Sequence, residues 1–104
     1  MSGIVSVYAV FADAEEAQRI ARTVVEERLA ACANILGPCQ SIYRWRGEVE
    51  AATEAAAIFK ARADKAEALI GRIAALHSYE VPAAVVWAIS TALPAYEAWV
   101  AEEG

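Results

Sequence analysis

Hydrophobic and polar positions change period several times along this chain, and each change marks an element. Ile4 to Phe11 (IVSVYAVF) is β-branched and aromatic with few polar positions, the composition of a strand covered on both faces. From Ala17 the period becomes helical: Ala17, Ile20, Ala21, Val24, Val25 and Leu29 recur on one face, with Arg19, Arg22, Glu26 and Glu27 elsewhere on the wheel. Asp13 precedes that run and Glu16 follows three residues later. This is a capping-box arrangement, in which the Asp carboxylate accepts first-turn N–H groups. The spacing predicts a helix over 14–31.

Ala33-Asn34-Ile35-Leu36 reads as a short strand that Gly37-Pro38 breaks or bulges. Ser41 to Trp45 resumes strand character, with Tyr43 and Trp45 on one face and Ile42 and Arg44 on the other. Arg46-Gly47 offers a turn into a returning strand. The stretch 48–76 is in conflict with itself. It is rich in alanine and charge, so propensity alone allows one long helix. Ile58-Phe59-Lys60 is nevertheless a strand-like island, and Asp64 with Glu67 repeats the capping signature. The division is a strand over 48–62 and a helix over 64–77, with Leu69, Ile70, Ile73 and His77 on one helical face. Val81-Pro82 ends that region, 83–89 (AAVVWAI) is a further strand, and Pro94 suits the first turn of a last helix carrying Tyr96, Trp99 and Val100 as a stripe. The order β-α-β-β-α-β-α is that of an α+β, ferredoxin-like split βαβ sandwich with an extra C-terminal helix.

Composition bears on assembly more than on fold. The 104 residues are read as one domain, 1–104. The hydrophobic fraction is 59%, much of it alanine, but three Trp and four Tyr are many anchors for one small core. Apolar area buried between subunits accounts for the surplus. The net charge of −5 and the scatter of the nine Lys and Arg argue against a nucleic-acid partner. No apolar run approaches the ~20 residues of a membrane span, so no membrane partner is expected. Met1-Ser2-Gly3 lacks a signal-peptide signature, which makes the cytoplasm the default location. Cys32 and Cys39, seven apart, match no zinc spacing and are expected to be free thiols.

Five segments in register resemble the CutA divalent-cation-tolerance family: Glu27-Arg28-Leu29-Ala30-Ala31-Cys32-Ala33-Asn34-Ile35; Ser41-Ile42-Tyr43-Arg44-Trp45-Arg46-Gly47; Glu54 with Lys60; His77-Ser78-Tyr79-Glu80-Val81-Pro82; and Tyr96 with Trp99. The resemblance implies a ferredoxin-like subunit in a homotrimer similar to PII signalling proteins. It further implies long hairpins pairing between neighbours, and a link to tolerance of copper and other divalent cations. It also assigns 48–62 to one long strand. The chain departs from the family pattern at Ser78 and Ala12, where proline is usual, at Ala61, where Thr commonly follows the Lys, and in Tyr8-Ala9-Val10, where some members carry a Cys.

Candidate chemistry is sparse. His77, the only histidine, is a candidate copper or zinc ligand with Glu80 adding an oxygen; the alternative is a helix-terminal His bonding carbonyls or a carboxylate. One His closes no tetrahedral site within one subunit, so a strong site needs a neighbour's residues. Cys32 is either a soft metal ligand or a small buried thiol. Cys39, beside Gly37-Pro38, is the better candidate for a reactive or copper(I)-binding thiol. Tyr43, Trp45, Tyr96 and Trp99 are read as trimer-interface anchors, with ligand-pocket walls as the alternative. Glu54 and Lys60 share a strand face, and a Lys on an apolar strand needs a partner carboxylate or an anionic ligand. Lys60, His77, Tyr79 and Glu80, with Glu54, are the candidate inter-subunit cleft. No GxSxG, Walker or HExxH motif is present, so no catalytic residue is assigned and the protein is not read as an enzyme. A small hydrolase on this frame needs a phosphate-cradling loop, and Ala12-Asp13-Ala14 offers none. No cofactor is required; copper or another divalent cation is the candidate ion.

Overall fold

The computed structural model describes residues 2–104. Its elements are β1 (Ile4–Phe11), α1 (Ala14–Glu26), β2 (Cys32–Trp45), β3 (Glu48–Arg62), α2 (Ala66–Leu76), β4 (Ala84–Ala88) and α3 (Pro94–Glu103). The strands form one antiparallel sheet in the order β2-β3-β1-β4. Element order and strand order together are those of the α+β ferredoxin-like fold with an added C-terminal helix; the pattern predicts this order, and the family resemblance settles 48–62 as its long strand.

Paired residues in neighbouring strands share a face of the sheet. Val7 pairs with Phe59, Ala9 with Ala57 and Phe11 with Ala55, and all six side chains are buried under Ile20 and Val24 of α1 and Leu69 and Ile73 of α2. The alanines of β3 are therefore core residues. They leave room on a crowded face for the Phe11 and Phe59 rings, whose centroids stand 6.4 Å apart. Pairing with β1 on one side and β2 on the other supplies the backbone bonds of the strand, and this tertiary pairing overrides the helical propensity of the alanines.

The opposite face is only partly covered. Val100 of α3 meets Ile4 and Ala31 at one end. Beyond them Ile58 pairs with Tyr8, Tyr8 pairs with Val85, and Tyr8 stacks on Trp87 at 5.0 Å. Trp87 keeps 49% of its surface exposed and Val85 46%. A broad apolar face is thus left open to solvent.

β2 is one continuous strand, so of the break and the bulge that Gly37-Pro38 allows the structure takes the bulge. Gly37, at φ 85°, and a register shift between Ile35 and Pro38 form a bulge that absorbs the break. Pro38 is tolerated because β2 lies at the edge of the sheet, where a missing N–H need cost no ladder bond. β1 pairs with β3 only over 55–62, so the β2–β3 ribbon projects beyond the sheet and stretches the molecule to 44 × 26 × 22 Å. The ribbon closes through Arg46 and Gly47, both at positive φ (51° and 83°), the two-residue hairpin geometry. Ile42 and Val49 on it are 78% and 63% exposed.

α1 ends at Glu26, five residues before the sequence-based expectation. The Leu29 N–H donates to the Val24 carbonyl at 2.9 Å and the Arg28 N–H to the Val25 carbonyl at 3.0 Å, with Arg28 in the left-handed region at φ 62°. This Schellman termination normally uses glycine. The chain then turns into the sheet, where the Ala31 N–H donates to the Lys60 carbonyl at 2.8 Å. Arg28→Gly is expected to raise stability by about 1 kcal/mol, the cost of a side chain in that conformation. Denaturant midpoints at fixed protein concentration check this; a lower midpoint would mean that the Arg28 bond to the Glu102 carbonyl at 3.3 Å matters more.

Asp64 and Glu67 do not cap α2 as a pair. A single 3₁₀ turn, Ala63–Lys65, precedes the helix without a side-chain cap, and Asp64 is held instead by Arg62 at 2.7 and 3.0 Å.

Candidate functional site

Three segments converge at the far end of β1: the start of α1, the loop after α2, and the root of the projecting ribbon. Asp13 caps α1 by accepting the Glu16 N–H at 2.8 Å. The Glu16 side chain, 7% exposed, turns back and accepts the Ala12 N–H at 3.0 Å and the Ser78 N–H at 2.9 Å. Burial works to raise its carboxyl pKa, but the hydrogen bonds from Ser78 and Ala12 outweigh it and hold the group below its usual value. Both donors come from positions where the family pattern has proline, which has no N–H to give.

His77 follows α2 directly. Its ring is fully buried, stacked on Phe11 at 5.1 Å with Tyr79 at 4.7 Å. Nε2 lies 2.7 Å from the Val10 carbonyl, which only accepts, so Nε2 carries the proton; Nδ1 accepts the Tyr79 N–H at 3.0 Å. Both ring nitrogens are thus engaged within the chain, and neither offers a free lone pair to a metal. The donor reaches a strand carbonyl across the fold and not a helix-terminal one, while a carboxylate, that of Glu16, stands 4.0 Å from Nδ1. The Tyr79 hydroxyl continues the chain of contacts by donating to Glu54 Oε2 at 2.5 Å, a short charge-assisted bond. Burial, this bond and the Glu54 charge together push the Tyr79 phenol well above its usual value.

Glu54 and Tyr79 line a cleft of about 480 Å³ that runs along the ribbon, with Tyr43, Trp45, Glu50 and Glu80 among its other walls. The register explains the ribbon's contribution. Trp45 pairs with Glu48, Tyr43 with Glu50, Ser41 with Ala52 and Cys39 with Glu54, placing all of these on one face. Burial first, then the Glu50 and Glu54 charges, raise the Tyr43 phenol.

The structure brings together Tyr79, Glu80 and Glu54 of the expected cleft and sets His77 behind Tyr79. Lys60 does not line it. It sits six residues further along β3, ~20 Å away at the rise of a strand, paired with Cys32. Cys32 itself lies 3.4 Å from the Tyr96 hydroxyl, and burial with this contact pushes that phenol up to about 12. Tyr96 stacks on Trp99 at 5.9 Å. Cys39 stands beside the cleft, its Sγ 4.0 Å from the Ser41 hydroxyl. The three expected metal ligands, Cys32, Cys39 and His77, therefore do not converge, and among the described residues no three His, Cys, Asp or Glu side chains group to hold a metal ion. Both cysteines are free thiols. Sequence reasoning missed Glu50 and the inward role of Glu16. The Arg46-Gly47 turn carried the signal for Glu50, because a two-residue turn fixes Tyr43 opposite it.

The profile of the CutA1 divalent ion tolerance protein family matches residues 5–103. Divalent-cation tolerance protein CutA of Thermus thermophilus is 42% identical over 88 residues, 85% of each chain, and that of Archaeoglobus fulgidus is 41% identical over the same length and share. The crystal structure of CutA from Xylella fastidiosa superposes with a TM-score of 0.95 at 36% identity, covering 98% of both chains. With its profile matched almost end to end, two relatives above 40% identity and a shared fold, this chain belongs to the CutA1 divalent ion tolerance protein family.

Proposed function

We propose that this protein serves divalent-cation tolerance, with copper among the cations, as a homotrimeric binding or signalling module and not as a catalyst. In this reading each subunit carries a ligand cleft at the root of its ribbon, beside a junction with a neighbour. The proposal rests above all on the surface that one chain leaves uncovered. Tyr8, Ile58, Val85 and Trp87 form an apolar sheet face without a covering layer, and Ile42 and Val49 project on a two-stranded ribbon. An isolated ribbon is marginal in water, and contiguous apolar surface of this kind marks an interaction site. β2 and β4 are edge strands with unpaired backbone groups, and a ribbon laid along a neighbour's edge would continue the sheet. Three copies is the stoichiometry the family resemblance implies, and the cation link follows the name of the relatives. Direct copper ligation within one chain is the weaker reading, because the two thiols lie apart and the imidazole is fully engaged.

The test is growth under Cu²⁺ of a bacterial strain deleted for its own gene of this family. The wild-type chain is expected to restore tolerance, and Ile58→Glu, which places a charge on the open face, is expected to fail. Equal rescue by both would separate tolerance from assembly and remove this reading.

A further inference from the structure

The side chain of His77, the only histidine, has no exposed surface, and its two ring nitrogens do different work. Nε2–H is tied to the Val10 carbonyl at 2.7 Å, and Nδ1 takes the Tyr79 N–H at 3.0 Å. A second proton can enter only at Nδ1, where it would face the Tyr79 N–H, donor against donor. One of the two must give way. The acceptor that the new N–H needs is already in place, because Glu16 Oε1 stands 4.0 Å from Nδ1. About 1 Å of closure makes that a charge-assisted hydrogen bond, and a buried charge is tolerated when it is paired in this way. Burial opposes the ionisation of Glu16, but the hydrogen bonds from Ser78 and Ala12 outweigh it, so the partner is a carboxylate.

The other charges around the ring are accounted for. On α1, Asp13 accepts the Glu16 N–H and Arg19 stands 3.7 Å from Glu16 Oε2. On β3, Glu54 lies behind Tyr79 and accepts its hydroxyl. β1 and β4 contain no charged residue. On α2, Glu67 is in the first turn, away from His77, and Arg72 is held by Glu27 at 2.7 and 2.9 Å. Glu80, in the loop itself, is exposed.

The loop is the part free to yield. Between the Ser78 N–H on Glu16 and the Ala83 carbonyl on the Val10 N–H, hydrogen bonds tie it to the body through Tyr79 alone, by its amide to Nδ1 and its hydroxyl to Glu54. Ser78, Tyr79 and Glu80 are exposed, so water can take a released Tyr79 N–H. Tyr79, Glu80 and Val81 also form one wall of the cleft.

We propose that His77 is a proton-operated latch on the loop 78–82: the neutral imidazole holds Tyr79 in the wall of the cleft, and the imidazolium turns to Glu16 and lets Tyr79 go. Acidification therefore opens the cleft at the root of the ribbon. This rests on the reading of that cleft as the ligand site only for its consequence; the latch itself needs neither a ligand nor a trimer.

The test is ¹⁵N NMR of the full chain from about pH 8 to about pH 4, a range that spans ordinary histidine titration. The ring nitrogens of the single histidine report its protonation, and hydrogen exchange reports the protection of each amide. The protection factor of the Tyr79 amide is expected to fall by about tenfold or more in step with the imidazole, as one hydrogen bond is lost. The amides of Val7 and Ala9, in a strand paired on both sides, should stay protected. Glu16→Gln removes the charge that receives the new N–H and should move both changes together to lower pH. Tyr79→Phe removes the bond to Glu54 and should leave the amide at 79 following the imidazole. The inference is overturned if the Tyr79 amide keeps its protection while the ring titrates, or if the ring stays neutral down to about pH 4. It is equally overturned if the ring protonates only as the sheet amides lose protection, or if either variant uncouples the two changes. Sedimentation of the same samples reports the assembly. A monomer that shows the coupled change removes the trimer and leaves the latch, and a trimer without it does the reverse.

Discussion

Ile58→Glu is expected to convert the assembled protein into folded single chains. Ile58 sits at the centre of the open face, paired with Tyr8 in β1 and Asn34 in β2. In a lone chain its side chain is only partly buried, so a glutamate there meets water and the helix-covered face is untouched. In the assembly the same carboxylate would be enclosed without a partner. An uncompensated buried charge costs about 3–5 kcal/mol, and a trimer would hold three. The dissociation midpoint should therefore move by several orders of magnitude in concentration, with far-UV circular dichroism unchanged. An Ile58→Glu trimer that dissociates at the wild-type concentration would show that this face is not the one covered.

Glu16→Ala is expected to destabilise the fold by about 3 kcal/mol, because it leaves the Ala12 and Ser78 N–H groups near the site without their acceptor. Ser78→Pro should separate cause from context. His77 is already extended at φ −74° and ψ 145°, so a proline after it adds little strain on that side. In the wild type it removes one donor to a buried carboxylate and should cost about 1–3 kcal/mol. In the Glu16→Ala chain there is no acceptor to lose, and the stiffer unfolded chain should turn the effect into a gain of about 0.5 kcal/mol. Additive effects in this cycle would mean that the Glu16–Ser78 bond carries no weight. The pH dependence has a fixed sign. The Glu16 carboxyl titrates lower in the folded protein than its ordinary 4.5. Its contribution is full above that value and is lost as pH falls through the lowered folded pKa. Glu16→Gln should flatten this acid limb in midpoints measured between pH 3 and pH 6.

Periodicity carried the fold because most elements bury a single face. α1 has Ile20 and Val24 on one stripe, and β1 alternates once its register is known. Two places escaped it. The end of α1 was set by a left-handed Arg28, a conformation for which arginine gives no signal. The alanines of β3 carry helical propensity as monomers, and only pairing with residues far along the chain makes them core; the family resemblance, not the pattern, resolved that stretch. The site was harder to read. Tyr79 and Glu54 are 25 residues apart, and nothing local states that a loop will carry one to the other. Lys60 looked equivalent to Glu54 because both face the same side, yet the cleft follows the ribbon and Lys60 lies at the other end of the strand. Prolines replaced at 12 and 78 stood out only as departures from a pattern. Their meaning appeared when both freed N–H groups were found on one carboxylate.

Sedimentation equilibrium of the wild-type chain across the micromolar range bears most directly on all of this. The proposed trimer, which would cover the open apolar sheet and the projecting ribbon, predicts a species of three times the 11.1 kDa chain mass that persists on dilution. A well-folded species at 11.1 kDa throughout that range would contradict it.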